Sequence, residues 1–197
     1  MNNQLFDRFA GFCAVLAGIL GFLYSIAFVV LQSELLSGLF LLLGGLLTTA
    51  ALTALYGRLR ETHPLFALWG LLLGVAGALG SAIHGGYDLA VSINPPASPP
   101  VELPNPIDPR GLLTFGVAGI ALFIIAWLIM QSGVFSKGLG YLGYLLAILL
   151  VVLYLGRLIV LAPTNPVILV PALLVGFLVN PAWYIWLGIA LWRGGRA

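Results

Sequence analysis

Six apolar runs of about 20 residues follow one another along this 197-residue chain, and about 20 apolar residues are what an α-helix needs to cross the ~30 Å hydrocarbon core of a bilayer. They cover residues 9 to 32, 35 to 56, 65 to 90, 111 to 131, 139 to 161 and 168 to 192. In lipid, each backbone N–H and C=O must be paired inside its own segment or within a closed barrel. The runs are too long and too continuous for the alternating strands of a barrel, so they predict helices. The expected fold class is all-α: a polytopic membrane bundle of six transmembrane helices forming a single membrane domain, residues 1–197.

Composition leaves no alternative. Charged residues make up 7 % of the chain and apolar ones 61 %, against roughly 25 % charged in a soluble domain. The apolar core of the first run exceeds the ~7–15 residues of a signal-peptide core and no small-x-small site follows it, so it is read as a retained span. With the N-terminus in the cytoplasm, Arg8, Arg58, Arg60, Lys137, Arg193 and Arg196 fall on the inner side and Arg110 and Arg157 on the outer. That bias predicts a bacterial-type inner membrane protein with both termini cytoplasmic. No basic, water-facing surface exists for nucleic acid. Cys13 is the lone cysteine, which excludes thiol–disulfide exchange by a cysteine pair.

The two halves echo each other. Ala17-Gly18-Ile19 recurs as Ala118-Gly119-Ile120, and Gln32-Ser33 with Ser37-Gly38-Leu39 recurs as Gln131-Ser132 with Ser136-Lys137-Gly138-Leu139. Leu55-Tyr56-Gly57-Arg58-Leu59 matches Leu153-Tyr154-Leu155-Gly156-Arg157-Leu158, and Thr62-His63-Pro64 matches Thr164-Asn165-Pro166. Four matches in the same order suggest duplication of a three-helix unit, residues 9–92 and 111–192. An odd number of spans would insert the second copy upside down, as inverted repeats. The alternative is chance similarity in an alphabet rich in Leu, Gly and Ala. The connecting segment 93–110 holds seven prolines, which favours extended, non-helical chain on the outer side.

Polarity is placed with order. Helices in lipid associate through small residues that let backbones approach. The third span carries Gly70, Gly74 and Gly77 on one face, continued by Ser81, His84 and Asp88. The first span carries Gly11, Ala14, Gly18, Gly21 and Ser25, with Gln32 beyond. Tyr154 and Arg157 share a face near the outer end of the fifth span. An outward-facing pocket is therefore expected from Ser81, His84, Asp88, Tyr154 and Arg157, with Gln32 and Glu34 at its rim and an Asp88–Arg157 salt bridge. The alternative is that these groups anchor helices or snorkel to headgroups. Asn180-Pro181 lies near the middle of the sixth span and predicts a kink or unwound turn there, which adds Asn180 to the candidate site.

Other chemistry is set aside. Asn180-Pro181-Ala182 invites comparison with the aquaporins, but that family uses two such tripeptides on re-entrant loops, and the nearest counterpart here is Asn94-Pro95-Pro96. His63 and His84 lie ~31 Å apart along one helix, too far to share a haem within one subunit. Lys137, the only lysine, lies in a loop and offers no intramembrane Schiff base. Ser81, His84 and Asp88 stack along one helix with nothing evident to form an oxyanion hole, so no catalytic residue is assigned. No cofactor is expected, and no metal site is assigned.

In size, in six-span layout and in its closing Trp-Leu-Gly and Trp-Arg-Gly segment, residues 186–194, the chain resembles bacterial integral membrane families of unassigned function. That resemblance implies an inner-membrane location and carries no activity or site. The functional expectation is a small-solute or ion/proton-coupled transporter or channel with an outward-facing polar pocket. The alternatives are an accessory membrane subunit packing through its glycine stripes and, more distantly, an intramembrane enzyme. Expected partners are the lipid bilayer, an unspecified small solute, and a second copy or a membrane partner subunit.

Overall fold

The computed structural model describes residues 4–97, 111–160 and 165–194. Among the described residues, six helices are long and apolar enough to cross a membrane: α1 Gln4–Val30, α2 Glu34–Leu59, α3 Pro64–Ile93, α4 Leu112–Ser132, α5 Lys137–Val160 and α6 Pro166–Trp192. The protein is an all-α, six-helix, multi-pass membrane bundle. Helix starts follow local chemistry. Pro64 and Pro166 occupy first-turn positions where no N–H is needed. The side chains of Ser33 and Asn165 accept hydrogen bonds from the N–H groups of Leu36 and Val167. Gln32 at φ 49° and Gly133 at φ 63° close α1 and α4 in the left-handed region.

Each helix packs on its neighbours in chain order, and α6 returns to pack on α1, closing a ring. The first and last described residues lie at one end, where Arg58 meets both Asp7 and Gly194, here called the terminal end; the other is the distal end. The α1–α6 closure is a backbone contact: a methyl added at Gly11 would sit 2.7 Å from the Gly188 carbonyl oxygen, and one at Gly18 would sit 2.9 Å from that of Pro181. On the α2–α3 contact, a methyl at Gly38 would meet Leu89 N at 2.8 Å and one at Gly45 would meet Ala78 O at 2.5 Å. Gly70, Gly74 and Gly77 are filled by Ile124, Leu52 and Ala118. The glycine stripes are thus occupied by this chain's own helices, as packing in lipid requires.

Packing and polarity divide along the membrane normal. The largest fully buried side chains are Trp183, Leu55, Leu59, Leu128, Ile129, Leu139, Leu146, Leu187, Leu191 and Cys13, and all lie in the terminal halves of their helices. Trp183 also donates its indole N–H to the Leu139 carbonyl at 3.2 Å, tying α6 to α5. A cavity of about 10 Å³ beside Leu52, Leu55 and Leu128 is at most water-sized and apolar.

The distal halves differ. Among the described residues, three π-helical turns lie there: Ile26–Val30 in α1, Leu112–Val117 in α4 and Val175–Val179 in α6. The expected break at Asn180-Pro181 takes this form. Proline cannot donate to the carbonyl one turn back, and the helix absorbs the loss by widening one turn, with Asn180 N–H bonding to Val175 O five residues earlier. The helix is re-registered and stays continuous through the proline.

These contacts separate glycines that hold helices together from those that do not. Gly45→Ala or Gly188→Ala must push backbones apart and should cost about 1–3 kcal/mol. Gly57→Ala meets nothing within 4 Å and should be neutral or stabilise by about 0.5–1 kcal/mol. Thermal unfolding of the three variants in one detergent checks the ordering.

Candidate functional site

The polar residues of α3 stand near the distal membrane boundary. Pro64 and His84 are separated by ~30 Å of helix rise, a full hydrocarbon thickness. Ser81, His84 and Asp88 follow one another on a partly buried face of α3. His84 Nε2 lies 3.4 Å from Asp88 Oδ2, with side chains 18 % and 33 % exposed. Ser81 turns back on its own helix and donates to Gly77 O at 3.2 Å.

Neighbouring helices bring further groups. Tyr24 of α1 lies in the electrostatic field of both Asp88 and Arg157. On α5, Tyr154 packs its ring on Gly116, and the Arg157 guanidinium lies 5.6 Å from the centroid of the Phe115 ring. Both contacts fall on the π-helical turn of α4, which also carries Thr114, whose buried hydroxyl has no hydrogen-bond partner among the described residues.

The expected Asp88–Arg157 salt bridge is not formed. Asp88 has His84 one turn away on its own helix, and Arg157 finds an aromatic face on α4 that stabilises a cation without a counter-ion. The Asn180 side-chain amide lies against Gly21 on the α1–α6 contact, where Ser25 also packs on Gly176. Gln32 and Glu34 are exposed at the distal α1–α2 turn. Residues 98–110 and Arg196 lie outside the described residues.

One ion pair went unread in the sequence. Arg58 of α2 donates through Nε and Nη2 to Asp7 Oδ2 of α1, at 3.1 and 2.7 Å, and through Nη1 to the Gly194 carbonyl after α6, at 3.4 Å. Asp7 is only 8 % exposed. The signal was present: the α1 stripe through Gly11, Ala14, Gly18, Gly21 and Ser25, continued one turn back, reaches Asp7. The pair joins the ends of three helices on the terminal side, opposite the His84 cluster.

Together, fold and site define an integral, multi-pass membrane protein with a packed, ion-paired terminal half and a polar distal half. No family model, curated protein or solved structure matches the chain.

The ion pair's role is measurable. Asp7→Asn and Arg58→Gln should each destabilise by about 1–3 kcal/mol, below the value for a fully buried pair because Arg58 is partly exposed. The double variant should cost less than the sum of the two. Additive losses in a double-mutant cycle would show that the two groups do not interact.

Proposed function

We propose that the protein is a small-solute or ion/proton-coupled transporter or channel whose distal vestibule is built around His84 and Asp88. The observation that carries this reading is the division of the bundle. A titratable His–Asp pair, Tyr24, Arg157 and three π-helical turns occupy the distal half. The terminal half is apolar, and the Asp7–Arg58 pair lies at its end. Ionisable groups inside membrane bundles mark ion and proton paths, and π-helical turns recur at functional sites.

On this reading His84 and Asp88 bind a proton or cation entering from the distal side, with Ser81 one turn deeper and Gln32 and Glu34 at the rim. Among the described residues, Arg8, Arg58, Arg60, Lys137 and Arg193 lie toward the terminal end and Arg157 toward the distal end. That distribution supports cytoplasmic termini and an inner-membrane location, with the vestibule facing outward. Two structural parallels support the inverted repeat. The matched His63-Pro64 and Asn165-Pro166 pairs open α3 and α6, and left-handed residues close α1 and α4. The rival reading of an accessory subunit has less behind it, because its glycine stripes are already filled within the chain.

The test has two parts. Ser81→Cys in a Cys13→Ala background should react with a membrane-impermeant thiol reagent added outside intact cells. His84→Ala and Asp88→Asn should abolish solute- or proton-dependent flux in liposomes while inserting normally. A Ser81→Cys protein that is folded yet unreactive would remove the vestibule and with it this reading.

A further inference from the structure

The terminal end of the α1–α6 contact carries a second arrangement, independent of the distal cluster. Gly11 of α1 lies against Gly188 and Trp192 of α6, so the seam reaches the terminal surface about one turn further on, where α1 carries Arg8 and Arg193 follows α6. Both arginines are exposed, and neither guanidinium has a hydrogen-bond or ion-pair partner among the described residues. The acid beside Arg8 is unavailable, because Asp7 is bound by Arg58. Beneath the two cations, toward the membrane, the same helices expose aromatic surface: Phe9 is 56 %, Phe12 51 % and Trp192 56 % exposed. Arg8 and Phe12 are one turn apart on α1, and Trp192 directly precedes Arg193.

We propose that this seam binds an anionic phospholipid, with the phosphodiester on Arg8 and Arg193 and the acyl chains along Phe9, Phe12 and Trp192. Unopposed arginines match phosphate oxygens in charge and in their forked donor geometry. Tryptophan beside them suits the headgroup boundary. The apolar flank selects a lipid over a free phosphate, because only a lipid places chains against Phe12 and Trp192 while its phosphate reaches the arginines. Arg60 is outside the site, since it caps α2 at the α2–α3 turn and is not on the α1–α6 seam.

Native mass spectrometry of the purified full chain tests this with phosphatidylglycerol, phosphatidylcholine of the same chains, and glycerol phosphate as a headgroup without chains. Phosphatidylglycerol should be retained over the other two. Arg8→Gln and Arg193→Gln should each weaken that retention about fivefold. Lys137→Gln removes the same charge from the same end and should leave it unchanged, and Phe12→Ala should weaken it without altering charge. The variants alter exposed side chains, and an unchanged melting temperature without added lipid shows that they fold. Equal loss in Lys137→Gln would reduce the effect to general surface charge and overturn the site. Equal retention of phosphatidylcholine, or equal retention of glycerol phosphate, would overturn the anionic-lipid assignment.

Discussion

Within hydrocarbon, apolar burial does not draw one helix to another, because lipid tails solvate leucine as well as a neighbouring helix does. Cohesion must come from dispersion at short range, and short range requires backbones without side chains between them. Gly11 on Gly188 and Gly38 on Leu89 and Gly85 supply that approach. The first closes the ring between first and last helices; the second fixes α2 to α3. Substituents at these points meet main-chain atoms, which cannot rotate away. The remaining packing is arranged around these fixed contacts.

One consequence is the unequal distribution of bulk and polarity. In the terminal half, close approach leaves interior space that Trp183 and a layer of leucines fill, and the Asp7–Arg58 pair joins three helix ends above them. In the distal half, widened turns occur in α1, α4 and α6, and His84 meets Asp88 along α3 while Tyr154 and Arg157 of α5 meet α4. A widened turn adds a residue without breaking the helix, which redirects every later side chain and alters local backbone bonding. Phe115 and Gly116 belong to such a turn in α4, and they receive Arg157 and Tyr154.

Much of the fold was legible because bilayer thickness fixes span length, and Pro64, Pro166 and Ser33 mark helix starts by chemistry that acts locally. The first helix reaches back beyond residue 9 through Asp7, which is neutralised by Arg58 within the bundle instead of marking a water boundary. The polar stripe of α3 was readable from its period alone. Pairings between helices were not: Asp88 and Arg157 lie at similar depth, yet each meets a closer favourable partner. The π-helical turn in α6 had a proline to announce it. Those in α1 and α4 contain no proline and so carried no comparable signal in the sequence.

The proposed vestibule requires that water reach the distal polar cluster while the terminal half of the bundle stays dry. Hydrogen–deuterium exchange of the protein in lipid nanodiscs tests this most directly, since amides in lipid-embedded helices exchange only where water and local opening coincide. With an open vestibule, residues 81–88, 112–117 and 150–157 should exchange well before residues 7–14, 52–59, 124–130 and 183–191. Equal protection of both sets, or earlier exchange of the second, would contradict it.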